Sequence, residues 1–494
     1  MRISKSKFVA GVQCLKRLYL QVHQPELAAE PGAAAEAIIE QGREVGMLAR
    51  QMFPGGVEVG CNGGLDEAIR ATRQLIANPE IPALFEAAFE HDGVVVRVDV
   101  LHRRRDGRWR LIEVKSSASL KEEHLDDVGI QYRVVSRSGL DLATVNLAHV
   151  NRDYVFDGDS IDPRRFFKIR NLTRRVQRLQ PKLTFQLRSQ FTVLGMPKAP
   201  DIAPGRHCTN PVTCEFFDQC NPPRPHHHVA FLPRIHASAM EELEGMGIDS
   251  IRDIPDDFEL TEIQRRAAAS VRSGNAWYSS ELGEVLRGLA YPLYFADFET
   301  VNRAIPPFAG MRPYDQLPFQ WSAHIQQRPG LAPEHYEFLA TDANDPRREF
   351  ISSLCAALGN SGSIVAYSSF ESQRLSDLAT WLPEYAERIM AIQARLFDLL
   401  PVVREHTYHP AYAGSYSIKS VLPALVPGLT YDGMEVANGQ DAGLAWQSLV
   451  RGNLERTERD RIKKALLDYC GQDTLAMVRL LEKVRLEAKK RHEN

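Results

Sequence analysis

The stretch VVVRVDVLHRRRDGRWRLIEVKSS, Val94 to Ser117, decides the reading of the first half of the chain. Two apolar, β-branched runs, Val94 to Leu101 and Trp109 to Ser117, flank a charged turn containing Gly107. This pattern predicts a β-hairpin. Residues two apart on a strand project to one face, so Glu113 and Lys115 share a face, and Asp99 on the preceding strand can join them. Two carboxylates are hard oxygen ligands of the kind that Mg2+ or Mn2+ takes. A lysine beside them can orient or activate water and stabilise charge developing on a phosphate. Asp99, Glu113 and Lys115 are therefore the first candidate catalytic set, with Asp99 and Glu113 as its metal ligands.

Downstream, HLDDVGIQYRVVSRSGL (His124 to Leu140) reads as a helix carrying Gln131 and Tyr132. The D-x13-E-x-K pattern followed by this helix resembles the PD-(D/E)XK nuclease superfamily and, within it, the RecB-type branch. The resemblance implies a nuclease fold for residues 1–228 and a catalytic role for Gln131. The chain departs from that branch in placing Val134 and Val135 where a tyrosine usually follows the glutamine. An upstream metal-binding histidine is not evident, and Glu86 is the candidate for an upstream acidic position.

Seven cysteines, an odd count with uneven spacing, fit reduced thiols and metal ligation better than a secreted disulfide framework. Cys14 lies in KSKFVAGVQCLKRLYL; Cys208, Cys214 and Cys220 lie in HCTNPVTCEFFDQC, five residues between each pair. Three thiols so spaced can converge on one ion or cluster, and Cys14 can supply a fourth. One early and three late cysteines resemble the iron-sulfur nucleases of the RecB-like class, which implies a structural [4Fe-4S] cluster. Zinc held by the same four thiolates is the alternative. Cys61, Cys355 and Cys470 are expected to be free thiols.

A net charge of -3 argues against nucleic acid only on average, because charge acts locally. From Pro163 to Phe191 there are nine Lys or Arg residues and no Asp or Glu. Arg164, Arg165, Lys168, Arg170, Arg174, Arg175 and Arg178 are the candidate nucleic-acid contacts. Like charges uncompensated over several turns repel one another, and a phosphate backbone relieves that repulsion. DNA is the favoured partner.

A second centre opens at YPLYFADFET (Tyr291 to Thr300), where Asp297 and Glu299 end an apolar strand, two apart and on one face. Glu371 follows another predicted strand in IVAYSSFESQRLSDLA (Ile364 to Ala379). In LLDYCGQDTLAMVRLLEKV (Leu466 to Val484), Tyr469 and Asp473 are four apart at helical spacing, hence on one helix face. The order D-x-E, then a carboxylate, then Y-x3-D resembles the DEDD exonucleases of the RNase H-like fold. That resemblance implies a mixed-sheet domain over residues 286–494, with Asp297, Glu299, Glu371 and Asp473 holding two Mg2+ or Mn2+ ions and Tyr469 positioning water. Asp398 is an alternative carboxylate, and Lys419 in GSYSIKSVLPALV a possible phosphate contact.

At 494 residues, 44% hydrophobic and 25% charged, the chain has room for two or three domains of ordinary globular make-up. The proline-rich NPPRPHHHVAFLP (Asn221 to Pro233) marks a linker, its histidines included. Residues 229–285 read as a short helical connector, in which a Gly-containing turn around Gly245 and Gly247 between two helices resembles a helix-hairpin-helix element. No signal core and no stretch of about 20 apolar residues is present, so a cytoplasmic protein without membrane partners is expected. The expected fold class is α/β: an N-terminal PD-(D/E)XK nuclease fold, a short helical connector and a C-terminal RNase H-like fold with a mixed sheet. The whole resembles a bacterial two-domain family that joins a RecB-like iron-sulfur nuclease to a DEDD-type 3'-5' exonuclease. It implies a nuclease of DNA repair, recombination or defence. A non-catalytic nucleic-acid-binding or scaffolding protein that retains both folds is the alternative.

Overall fold

The computed structural model describes residues 1–60, 63–452 and 454–493, the last three without their side chains, so Cys61 lies outside the described residues. The chain is mixed α/β and forms two compact units. One comprises Met1–Pro223 with Arg303–Asp315, the other Arg224–Asn302 with Gln316–Asn494.

The first unit is built on a seven-stranded sheet of β1 (Ile3–Ser4), β2 (Val57–Glu58), β3 (Ala83–His91), β4 (Val94–Arg103), β5 (Trp109–Lys115), β6 (Leu142–Val150) and β7 (Phe167–Asn171). The spatial order is β2-β3-β4-β5-β6-β7, with β1 pairing β4. β3, β4 and β5 run antiparallel in sequence, whereas β5 and β6 are parallel and are joined by the helix Glu123–Arg137, as a parallel pair requires. An apolar cluster covers each face. Val94, Val96 and Val98 lie in one with Leu111 and the helix residues Val128, Val134 and Val135, and Ile112 and Ala148 lie in the other. Val134 and Val135 thus fill core positions in which a tyrosine hydroxyl would need a partner.

The strand alternation slips beside Asp99. Val98 and Leu101, three apart, belong to the same cluster, while Val100 belongs to the opposite one. Facing this slip, Glu86 stands between the pairs Phe85–Val100 and Ala87–Val98 with φ +56°. A left-handed glutamate inside a strand costs on the order of 1–3 kcal/mol, and such strain gathers at functional sites.

The second unit carries a five-stranded sheet of β9 (Leu293–Asn302), β10 (Gln316–Gln326), β11 (Glu334–Leu339), β12 (Ser363–Ala366) and β13 (Leu396–Asp398), in the order β11-β10-β9-β12-β13. A separate pair joins β8 (Trp277–Tyr278) to β14 (Thr407–Tyr408). β10 is antiparallel to both its neighbours, while β12 is parallel to β9 and to β13. Leu293 and Phe295 pack with Met477, Val478 and Leu481 of the helix Arg456–Glu493, and Tyr294, Ala296 and Phe298 pack on the other face. Asp297 and Glu299 continue the first of these alternations, which aims them at that long helix.

Residues 229–285 fall within the second unit. The expected helix-hairpin-helix element there is drawn out: a helix ends at Gly245, Gly247 has φ +72°, a 3-10 turn spans Ile251–Asp253, and the next helix starts at Glu262. Among the described residues no helix is long and apolar enough to cross a membrane.

Candidate active sites

In the first unit the β4–β5 ladder ends at Val100–Ile112, and one step further the Asp99 carboxylate takes over, accepting the Val114 N–H at 2.6 Å. Glu113 is buried. Its Oε1 accepts from Lys115 at 2.7 Å and from Lys5 at 2.8 Å, and its Oε2 accepts from the Gln131 amide at 2.6 Å. Gln131 also donates to Asp127 at 3.2 Å, and Lys115 donates to the same carboxylate. Asp99, Glu113, Lys115 and Gln131 therefore converge from two strands and a helix.

Two members are additional to the motif. Lys5 opens the helix Lys5–Gln13, and nothing in its local sequence marks it. Asp127 stands four before Gln131 on its helix, a spacing at which it was readable.

The electrostatics are polarised. Burial and then the Glu113 charge push Asp99 up to about 8. Burial opposes ionisation of Glu113, but Lys115 and Lys5 outweigh it and hold the carboxyl well below its usual range. A cleft of about 750 Å3 opens over this centre, with Ile39, Arg43, Met47 and Arg50 of the helix Ala33–Arg50 on one side. Glu86 lines it too, ion-paired to Arg50 at 3.3 Å.

Cys14, Cys208, Cys214 and Cys220 line one small cavity of this unit, and all four are free thiols. Cys14 sits at the junction between the helices Lys5–Gln13 and Leu15–His23. The early and late segments are laced together: the Gln13 amide donates to the carbonyls of His207 at 2.6 Å and Val212 at 2.8 Å, and Arg17 pairs with Glu215 at 2.8 Å. Backbone N–H groups of Gly205 and Phe216 point at the sulfurs of Cys208 and Cys214, each at 3.4 Å.

The basic stripe maps to the helix Pro163–Phe166, β7 and the helix Thr173–Leu194. It is less uncompensated than the linear sequence suggests, since Lys168 pairs with Asp153 at 2.5 Å and Arg175 with Glu122 at 3.0 Å. Arg165 lies 5.8 Å from the ring of Tyr154. Arg164, Arg170, Arg174 and Arg178 are exposed and form no ion pair among the described residues.

In the second unit, ligand atoms of Asp297, Glu299 and Cys470 lie within 4.8 Å of one another. Asp473 accepts the Tyr431 hydroxyl at 2.6 Å and a further bond from Tyr469. Lys419 donates to the Tyr469 oxygen at 3.1 Å and sits over the rings of Tyr431 and Tyr469, at 5.3 and 4.9 Å. Glu371, in the first turn of the helix Phe370–Trp381, is buried with its Oε2 lacking any hydrogen-bond partner. Asp398 instead caps the helix Leu399–His406, accepting the Leu400 N–H at 3.0 Å.

Burial raises the whole set, and neighbouring carboxylates add to the rise of Asp297, Glu299 and Glu371. Glu299 is pushed up to about 8 by burial, then by Asp473, and Glu371 to about 8 by burial, then by Asp398 and Asp473. Asp297 rises well above the usual range, from burial first and then Asp473, Glu299 and Glu371. Cys470 and Tyr431 are the residues that the sequence reading missed here. Cys470 was detectable, three before Asp473 on a helix, whereas Tyr431 lies in an irregular segment with no local signal.

The model of a family described as a domain of unknown function (DUF2779) matches residues 294–417. That span includes Asp297, Glu299 and Glu371 and stops short of Tyr469 and Asp473. No curated protein matches the chain. A solved structure titled "Crystal structure of SSO0001" is similar at 14% identity, covering 40% of this chain and 87% of that one, with a TM-score of 0.19. A TM-score that low carries no weight for fold or function.

Proposed function

We propose that the protein is a divalent-cation-dependent nuclease, hydrolysing phosphodiester bonds of nucleic acid, DNA favoured, with one catalytic centre in each unit. The observation that carries this reading is convergence: in each unit, carboxylates remote in sequence meet below the surface. Gathering carboxylates away from water costs several kcal/mol per charge unless they take up protons or meet cations. The buried, unpartnered Glu371 oxygen fits a cation-binding role for the second set. Mg2+ or Mn2+ bound there would supply Lewis acidity and a water of lowered pKa. Asp99 and Glu113 would hold it in the first unit, and Asp297, Glu299, Glu371 and Asp473 in the second.

The chain's own groups have defined tasks. Lys115 keeps an ammonium beside the first set, where it orients water and offsets charge on a phosphate oxygen. Gln131 fixes the Glu113 carboxylate through its second oxygen. In the second unit Lys419 holds the Tyr469 hydroxyl in place, and Tyr469 orients water. The β11-β10-β9-β12-β13 order, with Asp297 and Glu299 on the central strand, supports an RNase H-like, DEDD-type reading. The Asp99, Glu113 and Lys115 hairpin with its Gln131 helix supports a PD-(D/E)XK reading of the first.

The four cysteines line one cavity, and four thiols brought together suit a [4Fe-4S] cluster, with zinc as the alternative. We assign them a structural [4Fe-4S] cluster.

Labelled single- and double-stranded DNA with Mg2+ tests the reading. Lys115→Ala and Asp297→Ala should each remove one activity by about 10^2- to 10^3-fold, and the double variant should be inert. Undiminished cutting by the double variant would overturn both assignments. Salt-sensitive binding without hydrolysis under any ion would favour the non-catalytic alternative.

A further inference from the structure

The second centre contains a thiol that a DEDD pattern does not call for. Cys470 is fully buried, and its Sγ lies 3.6 Å from Asp297 Oδ2 and 3.7 Å from the Asp297 carbonyl oxygen. It stands three residues before Asp473 on the helix Arg456–Glu493, so the helix presents both to β9. A cysteine kept for packing behaves as a small apolar group among apolar neighbours. This one belongs to neither apolar cluster of its unit and faces two carboxylates instead.

A second observation points the same way. Glu371, 4% exposed, lies close enough to Asp297 and Glu299 to raise both, and its Oε2 has no hydrogen-bond partner. The centre therefore combines donors that match a cation with a buried carboxylate oxygen that has no hydrogen-bond partner among the described residues.

We propose that Asp297, Glu299 and Cys470 form a mixed oxygen and sulfur site that binds a thiophilic divalent cation, Zn2+ or its probe Cd2+. Mg2+ takes hard oxygen donors, whereas Zn2+ and Cd2+ accept thiolate together with carboxylate. Zinc sites in which three protein donors leave a fourth position open are the catalytic kind, and here that position is left for water or a phosphate oxygen. Binding breaks the Cys470 S–H bond and forms an S–metal bond, the proton passing to buffer, with no change of oxidation state. The inference deepens the proposed role of this centre and rests on it for the two carboxylates. It makes the centre's ion preference distinct from that of the first unit, where Asp99 and Glu113 offer oxygen donors.

The test is a Cd2+ titration of the full chain, its four-cysteine cluster in place, followed by ultraviolet absorption of the thiolate-to-Cd2+ charge transfer. Wild type should bind one more Cd2+ per chain than Cys470→Ser, with the charge-transfer band in the difference spectrum. Asp297→Asn should lose the same band although its thiol is intact, and Cys355→Ser should keep it. Equal stoichiometry and equal spectra for wild type and Cys470→Ser would overturn the inference, as would a band that survives Asp297→Asn. If, in a Lys115→Ala background, Asp297→Ala abolishes the remaining DNA cleavage while Cys470→Ser leaves the Cd2+ spectrum unchanged, the hydrolase reading stands and this inference falls. A Cys470-dependent band without cleavage under any ion gives the converse.

Discussion

Glu371 and Glu113 are both buried glutamates, and their surroundings set opposite pH behaviour. Two ammonium groups depress Glu113, so its contribution to stability is present above the usual glutamate range and is lost on acidification. Burial and like charges raise Glu371 and Glu299 from 4.5 to about 8, so both are neutral in the folded state where the unfolded chain has already ionised. Their contribution is fully present below 4.5 and is lost as the pH rises through about 8. Without divalent cations, the melting temperature of the second unit should therefore fall between about pH 5 and about pH 8. Glu371→Gln should flatten that slope and raise the melting point at the alkaline end, by roughly 2–4 °C for each kcal/mol relieved. Calorimetry across the pH range checks this, and a slope unchanged in Glu371→Gln would refute it. At this scale much was legible: Glu113 with Lys115, Asp297 with Glu299, and Tyr469 with Asp473 sit at short fixed spacings that strand and helix periods convert into shared faces. Lys5 and Tyr431 carry no such mark, because what places them is the packing of distant segments.

Among the elements, β4 and β5 occur where the apolar runs predict them, and the helix Glu123–Arg137 carries Gln131 on its inner side. The slip at Asp99 was not legible, since strict alternation gives no warning of a left-handed Glu86 on the neighbouring strand. The helix Thr173–Leu194 illustrates the other limit. Its basic residues were evident, but which of them are neutralised depends on Glu122 and Asp126, which the fold brings alongside Arg175 and Lys182. Arg174 and Arg178 remain exposed and unpaired among the described residues, so Arg174→Ala with Arg178→Ala should weaken DNA binding. The salt dependence of the logarithm of affinity should become shallower by about 0.9 per charge removed on duplex DNA. Fluorescence anisotropy over a series of salt concentrations measures that slope, and an unchanged slope would remove this helix from the interface.

For the whole molecule, closure of distant segments is the recurring device. Cys14 meets Cys208, Cys214 and Cys220, and residues 303–315, which follow β9, belong to the first unit. There Ala304 is buried and its N–H donates to Gln41 at 2.8 Å, and Arg303 pairs with Glu44 at 2.7 Å. A cluster joining the two ends of a long segment restricts the unfolded chain, which stabilises the fold by about 5 kcal/mol if it behaves as a disulfide of that span does in the chain-entropy account. Anaerobically purified protein should accordingly be brown, and Cys14→Ser should lose both colour and iron as fully as Cys214→Ser. Colourless protein with stoichiometric zinc would overturn the cluster. By itself the sequence determined the α/β class, the two sets of carboxylates and the cysteine set, because each is written in local periodicity or in an uncommon spacing. Only the tertiary structure decided that Lys5 joins the first set and Tyr431 the second, and which basic residues stay free. Those facts depend on the registers and packing of segments far apart in the chain, for which a single sequence holds no local physical signal.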